Sequence, residues 1–308
     1  MNSKEKKEFL LRKYIKEVEQ LPFQSSDGHK LVVKDTYICP LCLKSFNIAL
    51  LGEEENSLIT LEHIPPENLG GKPIILTCKK CNSVCGHDLD VYLRNEMEHR
   101  ERNYFDAPKG HFVKLSHEGI DVNAIIKKDE DDIININIKK SLNPPDIVDR
   151  FVESTNASAD DLHINGKVKL GSHRRKVEVV DVAILKSAYL YAFYRLGYKY
   201  ILSTNLQAIR EQILNPDKEI LPPHYLLLNE NKIPNQVLDD IYAATLDGER
   251  ILVVILTLKL PSSGYRHRFA TILPMPHKKD LELYKRLMNI HTTKGTVEFQ
   301  FLGNARIE

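Results

Sequence analysis

The sequence predicts an α+β fold in two parts, and three observations carry that prediction. Two Cys-x-x-Cys turns, Cys39/Cys42 and Cys78/Cys81, bracket a strand–loop–strand stretch. A helical pattern follows the second turn. Further along, short apolar runs with turn residues between them alternate with amphipathic helices, the pattern of a mixed α+β domain with a largely antiparallel sheet. The expected division is an N-terminal amphipathic helix over 1–27, a cysteine-bearing module over 28–106, and a C-terminal α+β domain over 107–308.

The composition sets outer limits. The chain has 308 residues, 42% hydrophobic and 28% charged, with no Trp, an ordinary soluble composition. A formal net charge of +1 excludes a globally basic nucleic-acid binder. No apolar run approaches the ~20 residues that span a bilayer, so no membrane partner is expected. The absence of a secretory signal points to a cytoplasmic location and to reduced cysteines.

Residues 4–21 carry Phe9, Leu10, Leu11, Tyr14, Ile15, Val18 and Leu21 at helical spacing, with a lysine-rich opposite face. That face reads as a solvated surface, with backbone contact to DNA or a partner interface as the alternatives. Leu31–Val33 and Tyr37–Ile38 read as strand leading into the first Cys-x-x-Cys turn. Each such turn places two thiolates close together, and two turns supply the four soft ligands of a closed, tetrahedral, structural Zn²⁺ site. Disulfides are the competing pattern, disfavoured by the compartment. Cys85 is odd in number and reads as a small buried residue.

Between the cysteine pairs, Ser57–Leu61 is a short apolar strand ending in Glu62-His63. Glu53–Glu55 reads as a solvated loop tip. Pro65-Pro66 stops the strand, Gly70-Gly71 turns the chain, and Lys72–Thr77 forms a second strand. A helix is expected from Cys81 to about Glu101. The second cysteine pair brings Asn82 toward Glu62-His63.

Glu-His-Ile-Pro-Pro, Leu-Gly-Gly-Lys and Cys-Lys-Lys-Cys-Asn, with Gly86 and Asp90, resemble the HNH endonucleases that have a zinc-supported ββα-metal core. The resemblance covers about a quarter of the chain. It implies that His63 is the general base, removing a proton from the water that attacks a phosphodiester. It also implies that Glu62 and Asn82 hold a catalytic divalent ion, Mg²⁺ or Mn²⁺. The chemistry agrees, because histidine titrates near neutral pH and carboxylate and amide oxygens are hard ligands. Two departures stand out: Pro73 occupies the place where the family usually has Asn, with Asn68 a candidate to brace the loop instead, and Glu62 stands where Asp is frequent. His87 is an additional candidate ligand for the catalytic ion, about 140° around a regular helix from Asn82. Charges between residues 61 and 105 nearly balance, so phosphate affinity must come from the ion, a local cluster or another surface.

In the C-terminal part, Phe112–Leu115, Ile120–Ile126 and Ile133–Ile138 read as strands, with 129–132 as an acidic turn and Ile134, Ile136 and Ile138 facing a core. Pro144–Glu153 reads as a short helix. Lys167, Lys169, Arg174, Arg175 and Lys176 form a dense basic segment with two readings, an exposed hairpin or a phosphate contact. Asp181–Leu196 is the strongest helix of this half, capped by Asp181 and ended by Gly197, its aromatic residues read as core rather than a base-stacking platform. Ile201–Leu214 continues as helix. Ile241–Leu246 and Ile251–Leu260 form a hairpin around Asp247-Gly248, with strands at Arg266–Leu273 and Thr296–Leu302 and a helix at Asp280–Ile290.

The function expected is therefore a metal-dependent HNH endonuclease acting on nucleic acid, DNA favoured, with a C-terminal domain that takes a protein partner or regulatory ligand. By resemblance alone, bacterial defence against foreign DNA is the implied role. The competing class is a non-catalytic zinc-knuckle module, or an effector subunit active only with a partner. Geometry discriminates: a nuclease needs Glu62, His63 and Asn82 to meet at one open point.

Overall fold

The computed structural model describes residues 2–24, 27, 31, 33–48, 58–104, 110–129, 133–157, 165–167, 176–221, 225–227, 237–246, 249–261, 263–275 and 300–304. The fold is α+β with several small antiparallel sheets. The chain gathers into two compact units, one of residues 1–94, 175–258 and 267–308, the other of 95–174 and 259–266.

In the first unit, α1 (Ser3–Glu19) starts at a capping box. Glu5 N–H donates to Asn2 Oδ1 at 2.9 Å and Asn2 N–H to Glu5 Oε2 at 3.0 Å, satisfying two amides the helix cannot. Leu10, Leu11, Tyr14 and Val18 are its buried stripe, while Phe9, expected on that stripe, is exposed. Hairpin β1 (Thr36–Ile38) and β2 (Ser45–Asn47) carries the first cysteine pair in its turn. β3 (Ile59–Ile64) and β4 (Lys72–Cys78) form a second hairpin, and α2 (Lys79–Cys85) leaves it directly. A wide π-type turn, Gly86–Asp90, precedes α3 (Val91–Tyr104), so the one helix expected after Cys81 is interrupted at Gly86, where α2 ends.

The second unit is a four-stranded antiparallel sheet, ordered β7-β6-β5-β8, of β5 (His111–His117), β6 (Ile120–Lys128), β7 (Ile134–Ile138) and β8 (Asn165–Lys167), with α4 (Pro145–Ala157). Glu118 and Gly119 both have positive φ, 47° and 77°, the requirement of the tight turn joining β5 to β6. Val113, Leu115, Val122, Ala124 and Phe151 are its core. Ile134 and Ile136 are largely exposed, not core-facing as the alternation implied, because α4 packs mainly over β6 and β5 rather than over the edge strand β7. Of the acidic turn, 130–132 lie outside the described residues.

The first unit resumes with α5 (Val177–Leu196), α6 (Tyr198–Ile201), α7 (Gln207–Leu214) and the sheet of β9 (Tyr225–Leu227), β10 (Ile241–Leu246), β11 (Glu249–Lys259), β12 (Arg266–Leu273) and β13 (Gln300–Asn304), ordered β13-β10-β11-β12-β9. Two expectations are corrected here. α5 begins at Val177, a turn before Asp181, because Val179 and Val180 are themselves buried and extend the apolar face. Residues 201–214 are not one helix: a 3-10 turn, Thr204–Leu206, intervenes, and Asn205 Nδ2 donates to Met275 O at 3.1 Å. Gly197 ends α5 at φ 68°. Leu246 pairs with Glu249 across the β10–β11 connection, as the hairpin signal implied, although Asp247 and Gly248 themselves lie outside the described residues, as do Glu53–Glu55 and Asp280–Ile290.

The aromatic residues of α5 are core. Tyr14 stacks on Phe193 with ring centroids 4.7 Å apart, and Tyr198 meets Phe193 edge-on at 5.0 Å. Tyr189 OH donates to Pro40 O at 2.7 Å, and Tyr198 OH donates to Ile38 O, so two buried phenols hold the first cysteine turn by its backbone. Tyr189→Phe removes the bond to Pro40 and the Arg210 contact of the same hydroxyl without changing the packing volume much. It should cost about 1–3 kcal/mol of unfolding free energy in a urea titration, because the Pro40 carbonyl is left unpaired. A loss below a few tenths of a kcal/mol would mean that water replaces the phenol there. Among the described residues, no helix is long and apolar enough to cross a membrane.

Candidate active site and zinc centre

A four-cysteine cluster is built from the two turns the spacing marked. The Sγ atoms of Cys39, Cys42, Cys78 and Cys81 all lie within 4.8 Å of one another, with Cys42 and Cys78 at 3.8 Å. A tetrahedral Zn²⁺ with bonds of about 2.3 Å sets its sulfurs about 3.8 Å apart, so the four residues fit that ion. Hydrogen bonds among the thiols pull Cys42 far below the ordinary thiol range and push Cys39 and Cys81 far above it. Four sulfurs this close cannot all ionise unless a cation shares them. Cys78 also caps α2, accepting from Cys81 N–H at 3.5 Å, so the cluster fixes where α2 starts. Cys85 is buried and outside the cluster, as expected.

That placement aims α2 at β3. Asn82, the residue after Cys81, donates through Nδ2 to Thr60 Oγ1 at 2.9 Å and to Leu61 O at 3.0 Å. Both amide protons are used on the strand, which leaves the amide oxygen for another group.

The β3–β4 ladder is irregular between Glu62 and His63. Glu62 faces Ile75 but His63 faces Pro73, so Ile74 is an extra residue and the ladder bulges. Pro73 has no N–H to donate, and bulges are where a sheet accepts proline. Successive side chains of a flat strand point to opposite faces. Here the added twist lets Glu62 and His63 line one cleft of about 270 Å³, with Pro66, Glu67, Asn68, Asn82, Gly86 and Asp90. The loop between the strands is close-fitting: a Cβ added at Gly71 would lie 1.4 Å from Pro65 O, so only glycine lets the chain return beside the cis Ile64–Pro65 bond.

Each candidate can now be placed. Glu62, His63 and Asn82 come together at this cleft, and Asn68 also lines it. His63 is half-buried, whereas Glu62 is only 3% exposed. His87 is exposed and does not line the cleft. Asp90, at the end of the π-type turn, lines it instead. Lys167 lies in β8, Lys176 pairs with Asp217 at 3.5 Å beside a larger groove of mixed charge, and Lys169, Arg174 and Arg175 lie outside the described residues.

One site residue had no sequence signal. Lys186 of α5, 1% exposed, puts its ammonium 2.7 Å from Glu62 Oε1 and 2.9 Å from Asp90 Oδ2. Thr77 Oγ1 donates to Glu62 Oε2 at 3.3 Å. Burial pushes the Glu62 carboxyl up, with Lys186 opposing. Burial alone would lower the lysine, but Asp90 and Glu62 outweigh it and hold Lys186 above its usual range, hence charged. The carboxylates of Glu62 and Asp90 and the amide oxygen of Asn82 are hard donors that suit Mg²⁺ or Mn²⁺.

Residues 39–98 match the family model for the HNH endonuclease. The chain thus carries an HNH endonuclease domain at these residues, with a four-cysteine cluster consistent with structural zinc. Among curated proteins and among solved structures, nothing matches.

Proposed function

We propose that the protein is a metal-dependent endonuclease that hydrolyses phosphodiester bonds of nucleic acid, DNA in preference, through the module of residues 28–106. The observation that carries this reading is the meeting of Glu62, His63 and Asn82 at one open cleft beside the zinc centre. A zinc-knuckle binding module has no need of that convergence. His63, half-buried at the cleft wall, accepts the proton of the attacking water. Asn82, locked to β3 by its amide nitrogen, and Glu62 at its side hold a Mg²⁺ or Mn²⁺ ion, which when bound neutralises charge on the phosphate oxygens. The segment beyond residue 106 takes a protein partner or regulatory ligand, and a role in bacterial defence against foreign DNA follows the family resemblance.

The test is direct. Zinc-loaded full-length protein should cut plasmid or single-stranded DNA with Mg²⁺ or Mn²⁺, and EDTA should stop it. RNA cut in preference to both would change the substrate class. No cleavage of any of them, alone or with host lysate added, would favour the binding module.

A further inference from the structure

Lys186 reaches two acids of the cleft from behind and from far along the chain, 96 residues beyond Asp90. Its ammonium has three protons, and three carboxylate oxygens lie within reach: Glu62 Oε1 at 2.7 Å, Asp90 Oδ2 at 2.9 Å and Asp90 Oδ1 at 3.1 Å. Its neighbours on the buried side of α5, Val182, Ala183, Leu190 and Phe193, are apolar. A leucine at 186 would suit that face on packing grounds alone. A lysine this deeply buried is tolerated because two acids meet its charge, and both acids line the candidate catalytic cleft.

We propose that Lys186 is a resident cation behind this cleft, fixing Glu62 and Asp90 on its inner wall and competing with a divalent ion for their oxygens. The inference rests on the nuclease reading for the identity of that ion. The charges carry it. An ion binding either acid must come within a few Å of a full positive charge, and one binding Asp90 must take an oxygen that charge already holds, which in a partly buried site is a large repulsion. α5, which lies outside the matched segment 39–98, is then part of the metal-binding machinery, and Lys186 is a positioning residue rather than a catalytic one.

Calorimetric titration of the zinc-loaded full chain with Mn²⁺ tests this without reference to cleavage. Lys186→Gln keeps hydrogen-bond donors for the two acids and removes the charge. It should bind Mn²⁺ about tenfold more tightly or better, with zinc content and circular dichroism unchanged. Lys186→Arg keeps both the charge and the contacts, so it reports even if the glutamine variant fails to fold, and it should bind Mn²⁺ no more tightly than the native protein. Equal or weaker binding by folded Lys186→Gln, or tighter binding by Lys186→Arg, overturns the competition. Cleavage by native protein together with unchanged Mn²⁺ affinity in Lys186→Gln overturns this inference and leaves the nuclease reading standing. Mn²⁺ binding by neither protein overturns both.

Discussion

His63→Ala should abolish cleavage of DNA while leaving the fold and the zinc content intact. Loss of a general base typically costs ~10²–10⁴ in rate, which for a slow nuclease is loss of detectable product. The variant should fold because His63 is no ligand of the cysteine cluster and is only half-buried at the edge of the β3–β4 hairpin. Its partner across the ladder is Pro73, which makes no donor bond to lose. Asn82→Ala and Glu62→Ala should also lose activity, by another route. Each weakens the site for the divalent ion, so excess Mn²⁺, which binds such ligands more tightly than Mg²⁺, should restore part of the rate. His63→Ala should not respond, because the missing step is proton removal. Single-turnover cleavage of plasmid at two Mn²⁺ concentrations separates the cases. Full activity in folded His63→Ala would remove the assignment of the base, and its rescue by Mn²⁺ would make His63 a metal ligand instead.

The contrast between His63 and Lys186 shows what the sequence made legible. Cys39, Cys42, Cys78, Cys81, Glu62, His63 and Asn82 lie within one short stretch, and local rules fix their relations. A Cys-x-x-Cys turn sets two sulfurs, the helix after it sets Asn82, and a two-stranded hairpin sets Glu62-His63 against that helix. Lys186 obeys no local rule. Its apolar neighbours marked α5 as a core helix, and only the packed structure reveals that the one charge on that face meets Glu62 and Asp90. Asp90 lines the cleft and His87 does not, a placement the sequence pattern did not give because the π-type turn changes the angle between successive residues. Pro73 could not be interpreted without the register that places it beside a bulge. In the second unit, the alternation of β7 correctly gave a strand but not its exposure, because the pattern fixes period and not position in the sheet.

Removal of one cysteine ligand should have the largest effect on stability. Cys78→Ser should leave less than about half an equivalent of zinc and unfold the hairpin and helix around the cleft. A structural Zn²⁺ site can contribute on the order of 10 kcal/mol of folding free energy in small modules, more than the net stability of most domains. Cys78 ties several elements together. It ends β4, its Sγ caps α2, its N–H donates to Cys39 Sγ at 3.4 Å, and across the ladder it pairs with Ile59 at the start of β3. Losing it frees α2 from the strand, and with α2 goes Asn82. The aromatic contacts of Tyr14, Phe193 and Tyr198 do not depend on zinc, so the collapse should be confined to the cleft hairpin, the cysteine turns and α2. Hydrogen exchange would show protection lost over 59–85 and kept in α1 and α5. Cys85→Ser is the control: this thiol is buried, its pKa pushed up to about 12 by desolvation, and it lies outside the cluster, so its replacement should leave zinc at one equivalent. Folded Cys78→Ser protein with native protection over 59–85 would show that the hairpin stands without the metal, and folded native protein with under about half an equivalent of zinc would remove the zinc assignment itself.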